Sequence, residues 1–378
     1  MMRVDTLSPA QQDGVDKIQT WLETSGSVRD QVFRLFGYAG TGKTTAITTA
    51  LDRMGKEAAF VSFTGKAASV MRRSGVNAQT LHSLIYRKID DCPKTGAPRF
   101  ERKKKYDVRG VDLIVLDECS MIGDRIATDL RFFGVPILAI GDPAQLPPVN
   151  DGAGLGYFTR GIPDVILTEV HRQAAGNPIL QLATKARNGE KLPYGKYGDS
   201  EVLFSGDIDP EDLWTADQVL VGTNATRARL NKRARTHFGM VDPTPMFGDK
   251  IICTRNSANY GIFNGEMFTV IRCDEQSAAW LSMDLVRLED PTNTIIQDVR
   301  VHRTMFVPDG ETRTDSTLGD SGRFAYGYAI TAHKAQGSQW DNVIVIDEST
   351  VFRDMKDKWL YTAITRASKV VTIGKGRI

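Results

Sequence analysis

Val32-Phe33-Arg34-Leu35-Phe36-Gly37-Tyr38-Ala39-Gly40-Thr41-Gly42-Lys43-Thr44-Thr45 is the stretch that decides the fold. An apolar run ends in a glycine-rich turn, and a Lys-Thr pair then opens an Ala/Ile/Leu-bearing segment, so it reads as strand, loop, helix. Gly37-x-x-x-x-Gly42-Lys43-Thr44 matches the phosphate-binding P-loop at every fixed position. Loop N–H groups and a helix N-terminus receive anionic oxygens, and glycine lets the backbone approach them. Gly40, Thr41, Gly42, Lys43, Thr44 and Thr45 are therefore the expected contacts to a nucleoside triphosphate. Lys43 is expected on the β- and γ-phosphates, and the Thr44 hydroxyl on a Mg²⁺.

Working outward, the 378 residues leave room for two or three domains, with 41% hydrophobic and 25% charged residues, an ordinary globular balance. A net charge of +2 argues neither for nor against nucleic acid, so any basic site must be local. Cys92, Cys119, Cys253 and Cys273 form no C-x-x-C pair and suit reduced thiols better than disulfides or zinc. The polar N-terminus does not read as a signal peptide, and no apolar run is long enough to span a bilayer. The expected location is the cytoplasm.

Strand-like runs at Ala58–Phe63, Val111–Leu116 and Pro136–Ile140 alternate with helical segments, which predicts an α/β domain with a mostly parallel sheet. Ligands of such sheets sit beyond the carboxyl ends of the strands. Leu7-Ser8-Pro9 opens a first helix, with Val15, Ile18 and Leu22 at helical spacing. Residues 87–109 are rich in Lys and Arg around a Pro93-Lys94-Thr95-Gly96 turn, read as a basic hairpin or small insertion, with a solvated loop as the plainer alternative. A second α/β half is expected to begin near Val165, with a strand at Asp217–Gly222 and a basic helix over Ala225–His237. From Phe247 to about Thr304 the period changes to short β segments, predicting a small barrel-like insertion. The α/β pattern resumes with Ala325–Ser338, the strand Val343–Asp347, a helix over Lys358–Ala367 and a last strand at Val370–Ile373.

Asp117-Glu118 ends a buried-strand pattern downstream of the P-loop and reads as the acidic pair of a nucleotide hydrolase. Asp117 is expected to hold Mg²⁺ with Thr44, and Glu118 to orient or deprotonate the attacking water. Gln145, on the loop after the next strand, is placed to sense a γ-phosphate. Hydrolysis also needs cations for the charge spread over the γ-phosphoryl oxygens, and Arg172 and Arg366 stand in motif-like contexts.

The ordered set Gly37–Thr44, Thr64-Gly65-Lys66-Ala67-Ala68, Thr80-Leu81-His82, Asp117–Met121, Gly141–Val149, His171-Arg172 and Tyr328–Ser338 resembles the superfamily 1B helicases of the RecD and Dda type. Leu7-Ser8-x-x-Gln11 resembles their adenine-reading motif, which makes Gln11 an expected ATP contact, and Tyr361–Ala367 resembles their last motif. The resemblance implies two RecA-like domains with ATP between them. Lys43, Thr44, Asp117, Glu118 and Gln145 would come from the first, and Arg172 and Arg366 would act as arginine fingers from the second. It implies single-stranded DNA held by Thr64, Lys66, Thr80 and His82 on one domain and by Thr331, His333 and Lys334 on the other. The domain plan that follows is residues 1–86 and 111–164 for the first RecA-like domain, 87–110 for a strand-separating pin, 165–245 and 323–378 for the second RecA-like domain, and 246–322 for an SH3-like insertion. Phe100 is the candidate aromatic at or near the pin tip. Cys119 stands where relatives often carry Ala or Val, a substitution expected to leave the chemistry intact.

The implied activity is an ATP- and Mg²⁺-dependent helicase moving 5′ to 3′, a monomeric stand-alone motor acting on single-stranded and forked DNA, with replication or repair proteins as further partners. The direction rests on the resemblance, since the residue chemistry is silent on it. The alternative is an ATP-gated single-stranded nucleic-acid binding or remodelling protein that does not unwind processively. A P-loop kinase accounts for neither the Gln145 loop nor the Thr331–Ser338 cluster.

Overall fold

The apolar runs are continuous rather than alternating because each strand feeds two cores at once. In a computed structural model, which describes residues 7–24, 31–55, 58–73, 75–91, 98–108, 110–147, 156–168, 176–288, 292–306 and 321–376, the chain divides into two compact units. The first is Met1–Arg87 with Glu101–Glu190, and the second is Lys88–Phe100 with Lys191–Ile378.

Through Arg187 the chain runs α1 (Pro9–Thr24), β1 (Val32–Gly37), α2 (Lys43–Met54), β2 (Ala58–Ser62), α3 (Gly65–Arg73), β3 (Ala78–Thr80), α4 (Leu81–Ile85), β4 (Tyr86–Asp91), β5 (Pro98–Arg102), β6 (Leu113–Asp117), α5 (Asp124–Arg131), β7 (Ile137–Gly141), β8 (Val165–Leu167) and α6 (Pro178–Arg187), all in the first unit except the part of β4 and β5 within Lys88–Phe100. Among the described residues a six-stranded parallel sheet has the order β3-β2-β6-β7-β1-β8. Successive side chains of a strand point to opposite faces, and here they separate cleanly. Leu35, Leu113, Val115 and Leu138 join Val15, Ile18 and Ile47 of α1 and α2 in one core. Phe36, Ile114, Leu116, Ile137 and Ala139 join Leu81, Leu84 and Leu130 of α4 and α5 in the other. Burying both faces is what a parallel sheet requires.

The strand at Val165 belongs to this sheet, which corrects the expected start of a second half there. Val165 pairs with Leu35 and Leu167 with Gly37, both side chains entering the α1–α2 core, and the first unit continues through α6 to Glu190. Sequence spacing alone could not assign a three-residue strand to one sheet or another. β4 and β5 form a separate two-stranded ribbon; residues 92–97 between them lie outside the described set.

The second unit runs β9 (Gly195–Tyr197), β10 (Ser200–Phe204), α7 (Pro210–Thr215), β11 (Gln218–Val221), α8 (Asn224–His237), β12 (Lys250–Cys253), β13 (Met267–Glu275), β14 (Trp280–Arg287), β15 (Ile295–His302), β16 (Phe324–Tyr326), β17 (Ala329–Thr331), β18 (Trp340–Asp347), α9 (Lys356–Ile364) and β19 (Ala367–Lys375). Among the described residues its main sheet has the order β17-β11-β18-β19-β10-β9, parallel except for the antiparallel edge strand β9. The expected α/β pattern with parallel central sheets is thus present in both units.

The change of period after Phe247 is also real: β15-β14-β13-β12-β16 is an antiparallel sheet around Phe268, Leu281, Met283, Val301 and Phe324. The expected return to α/β at Phe324–Tyr326 is corrected, since that segment pairs antiparallel with β12, and the parallel pattern resumes at β17. A buried ion pair ties the two sheets of this unit together. Arg235 of α8 donates to both carboxylate oxygens of Asp249 at 3.0–3.2 Å, and the Tyr328 hydroxyl donates to the same group at 2.9 Å.

Candidate nucleotide and DNA sites

The P-loop sits at the carboxyl end of β1, and its glycines are needed for shape. Gly40 and Gly42 have φ of 75° and 72°, in the left-handed region that other residues avoid. A Cβ on Gly37 would lie 2.6 Å from the Thr41 hydroxyl and 3.1 Å from the Leu167 carbonyl, so the loop could not close over a larger residue. Lys43, first residue of α2, folds its ammonium back across the loop and donates to the Gly37 carbonyl at 2.8 Å and the Tyr38 carbonyl at 3.1 Å. Thr44 and Thr45 follow it in the helix, and their side chains lie outside the described set.

Gln11 is 2% exposed and braces the loop from behind. Its Nε2 donates to the carbonyls of Thr41 (3.2 Å) and Gly42 (3.4 Å). Its Oε1 accepts from the Ser8 N–H at 2.9 Å while the Ser8 hydroxyl accepts from the Gln11 N–H at 3.3 Å, the reciprocal pairing of a capping box. The motif expected to read adenine therefore also caps α1 and fixes the P-loop to it. Arg187 of α6 lies over the Tyr38 ring at 3.5 Å, a loop contact that no motif announced.

β7 separates β1 from β6, so the Gly141–Gln145 loop emerges between the P-loop and the Asp117-Glu118 turn. Asp117 ends β6; burial and then the Glu118 carboxylate push its pKa up to about 6, opposed by the Glu118 N–H (2.9 Å) and by the Lys43 ammonium. Glu118 has φ 53° and ψ 42°, a left-handed conformation costing a non-glycine residue about 1–2 kcal/mol. Such strain collects where a side chain must be aimed. Ser62 stands in register with Asp117 and its buried hydroxyl has no hydrogen-bond partner among the described residues, a neighbour that sequence reading missed. Cys119 is buried against Gly141, where an added Cβ would meet its sulfur at 2.7 Å, and burial pushes its thiol pKa up. Gln145 is also buried, with its N–H donating to the Asp142 carbonyl at 3.2 Å.

The expected DNA contacts divide. Thr64 and Thr80 are helix caps, accepting from the Ala67 N–H and the Ser83 N–H, each at 3.1 Å. His82 is half-buried between Phe63 and Tyr86, and burial lowers its pKa, so it is neutral at neutral pH. Lys66, in the first turn of α3, is only 4% exposed. Phe100, 51% exposed on β5, does present its ring to solvent.

In the second unit His333 packs against Phe352 at 5.4 Å, again with burial lowering its pKa, and the Thr331 hydroxyl accepts from the Lys334 N–H at 3.3 Å. Arg366 is 6% exposed, its guanidinium donating to the Thr362 carbonyl, the Ser338 carbonyl and the Thr365 hydroxyl at 3.1–3.2 Å. Arg172 lies outside the described residues. The second residue that sequence reading missed is Glu348. Its carboxylate accepts from the N–H groups of Gly222 (2.7 Å) and Thr223 (3.0 Å) and from the hydroxyls of Thr223 (3.2 Å) and Thr226 (2.7 Å), at the strand–turn–helix formed by β11 and α8. The available signal was the echo of Leu116-Asp117-Glu118 in Ile346-Asp347-Glu348.

Comparison with known proteins agrees with this architecture. The family model described as an AAA domain matches residues 7–204, just over half of the chain. That described as a UvrD-like helicase C-terminal domain matches residues 326–373. The ATP-dependent RecD2 DNA helicase of Deinococcus radiodurans is 28% identical over 91% of this chain and 48% of its own length. The RecBCD enzyme subunit RecD of Mycolicibacterium smegmatis is 25% identical over 90% of this chain and 67% of its own. The chain thus spans about half the length of the Deinococcus relative. Among solved structures, Bacteroides Pif1 bound to single-stranded DNA superposes with a TM-score of 0.57 at 18% identity, covering 97% of this chain and 92% of that one, a likeness of fold. Matches to both halves of one helicase architecture, with the motifs in order on two largely parallel sheets, lead to one conclusion: the chain belongs to the AAA domain family, in the superfamily 1B helicase branch of RecD-like proteins.

Proposed function

We propose that the chain is an ATP-driven DNA helicase that moves 5′ to 3′ along single strands and opens duplex ahead of it. The observation that carries the reading is that the Lys43 loop, the Gly141–Gln145 loop and the Asp117-Glu118 turn leave the neighbouring strands β1, β7 and β6 at the carboxyl end of the sheet that also presents Thr64 and Thr80. The residues fit the implied nucleotide, because the loop is drawn so tight that a Cβ on Gly37 would fill it. They fit a hydrated cation as well: the half-buried Asp117-Glu118 carboxylate pair lies in register with Ser62, whose buried hydroxyl has no hydrogen-bond partner among the described residues. Bound ATP and Mg²⁺ supply the scissile γ-phosphoryl and neutralise its charge.

The chain's own groups supply the rest. Lys43 exchanges two loop carbonyls for phosphate oxygens, and Thr44 and Asp117 hold the cation. Glu118, aimed by its left-handed backbone, takes the proton of the attacking water, and Gln145 orients that water. Arg172 and Arg366 supply cations to the transition state, Arg366 with its planar fork already fixed by three acceptors. Thr64 caps α3 at the carboxyl end of β2, where helix N–H groups face outward to a DNA phosphate, and Lys66, Thr80 and His82 shape that wall. Thr331, His333 and Lys334 do the same on the second RecA-like domain. The β4–β5 ribbon with Phe100 is the strand-separating pin, the β12–β16 sheet the SH3-like insertion, and the working unit a monomer.

Unwinding of 5′-tailed against 3′-tailed duplexes with ATP tests activity and direction together. Opening of the 5′-tailed substrate alone is expected, and preference for a 3′ tail would refute the direction. Lys43→Ala should abolish DNA-stimulated hydrolysis while DNA binding persists; continued turnover removes the central assignment. The second reading, an ATP-gated binding or remodelling protein, draws on the exposed basic character of the same ribbon. Deleting residues 88–100 should end strand separation and spare DNA-stimulated hydrolysis, whereas a parent protein that hydrolyses ATP on DNA but opens no fork would favour the alternative.

A further inference from the structure

At the foot of the β4–β5 ribbon, on the face of the first unit made by α5 and the segment after β5, lies an open cleft of about 770 Å³. Arg102, Lys103, Lys104, Lys105, Arg125 and Phe132 line it, together with Asp124 and Asp129. Its two carboxylates are already committed: Asp129 accepts from Arg102 (2.6 Å) and from the Tyr86 hydroxyl (2.5 Å), and Asp124 pairs with Arg160. Lys103 donates to the Ser83 carbonyl at 2.6 Å. Among the described residues Lys104, Lys105 and Arg125 make no ion pair, and all three are exposed. On a chain of net charge +2 this is a local concentration of uncompensated cations.

The aromatic in the cleft decides what those cations suit. Phe132 is 39% exposed, yet the Arg102 guanidinium lies over its ring at 3.8 Å and the Lys105 ammonium at 5.2 Å. A ring that binds single strands must offer an open face for a base to stack on. Here that face carries cations, so the surface offers charge and no stacking platform. Charge without base-reading groups is the chemistry of a phosphate backbone whose bases are paired and turned inward. The bonds from Tyr86 and Arg102 to Asp129 hold the base of the ribbon against α5, so the patch is fixed beside the element at which strands would part.

We infer that Arg102, Lys104, Lys105 and Arg125 form a docking surface for the phosphate backbone of the duplex arm of a fork, separate from the single-strand track. The inference rests on the reading of the β4–β5 ribbon as the pin. Its test is fluorescence anisotropy of the full chain with blunt duplex and with single-stranded DNA across a salt series, for the parent, Lys104→Ala/Lys105→Ala/Arg125→Ala, and the charge-keeping Lys104→Arg/Lys105→Arg/Arg125→Lys. Each lost phosphate contact flattens the slope of log affinity against log salt by about 0.9. The alanine triple should therefore lose about 2 to 3 from the duplex slope, while its single-strand slope and DNA-stimulated hydrolysis stay at parent values and the charge-keeping triple behaves as parent. Equal losses on duplex and single strand would overturn the duplex assignment. No loss on either would overturn nucleic acid as the occupant and leave an acidic protein surface. Failure of the helicase reading shows elsewhere, as hydrolysis in the parent that single strands do not raise.

Discussion

Replacing Glu348 with alanine should loosen the β11–α8 turn of the second unit selectively. The carboxylate receives two backbone N–H groups and two hydroxyls at 2.7–3.2 Å. Hydrogen bonds to a charged acceptor contribute about 1.5–3 kcal/mol each and neutral ones about 0.5–1.5. Proximity of an anion to the first turn of a helix adds about 0.3–1 kcal/mol. Glu348 is only half-buried, so water can reach part of the vacated site and the low end of each range applies. The loss is then about 3 kcal/mol, because the two backbone bonds dominate and the hydroxyls can turn to water. Glu348→Gln keeps an oxygen for the Gly222 and Thr223 N–H groups and loses only the charge, so it should cost about 1 kcal/mol.

Hydrogen exchange read by mass spectrometry localises the effect. At about 1.4 kcal/mol per tenfold, amides from Gly222 through the first turn of α8 should exchange about a hundredfold faster in Glu348→Ala and about fivefold faster in Glu348→Gln. Amides of the first unit should not change. The turn offers an independent check, since a Cβ on Gly222 would meet the Glu348 Cβ at 2.8 Å and the Phe352 ring at 3.0 Å. Gly222→Ala should therefore expose the same peptide by displacing Glu348 rather than deleting it. If Glu348→Ala leaves exchange across residues 222–226 within about twofold of the parent, the carboxylate is not what holds the turn, and the reasoning fails.

Gln11→Ala should lower the melting point of the first unit, by about 1–2 kcal/mol of stability, and weaken ATP and GTP binding alike, since the structure gives Gln11 a bracing role; loss of ATP preference with an unchanged melt would return it to adenine reading. Gly37→Ala should cost about 1–3 kcal/mol in melting experiments and abolish binding of a fluorescent ATP analogue, because the new Cβ would collide with Thr41; a parent-like affinity counts against the tight-loop geometry. Burial depresses the pKa of His82 below 6.5, so the unfolded chain takes up its proton first and stability, fully present above that value, is lost as pH falls through the folded-state pKa. The melting point should drop as pH falls below 6.5, and His82→Phe, which keeps the contacts to Phe63 and Tyr86, should flatten that drop; an equally steep profile in the variant would place the titration elsewhere.

The legibility of this chain follows the range of the forces involved. The P-loop was readable because its constraints are local: Gly40 and Gly42 need positive φ, and Lys43 must open a helix, all within a few residues. The parallel sheets were readable because strands such as Leu113–Leu116 are apolar throughout, and only burial on both faces tolerates that. Val165–Leu167 was misplaced because three residues carry no period, and its membership is set by pairing with a strand far back in the chain. That the fold encloses Lys66 and Arg366 was not legible either, because the burial of a charged side chain is decided by packing between distant segments.

The two Asp-Glu pairs show the same limit at its sharpest. Asp117-Glu118 and Asp347-Glu348 end apolar strands of nearly identical sequence. In the first unit β7 separates the acids from the long glycine loop, Lys43 donates to that loop's own carbonyls, and Glu118 is held in a strained left-handed conformation. In the second the connection from β11 to α8 is only Gly222-Thr223, and the Glu348 carboxylate itself accepts the N–H groups that a phosphate would otherwise receive. Strand and acid are shared; the length of the loop and the strand that lies beside the acid together set whether the helix N-terminus is left open or filled by the chain.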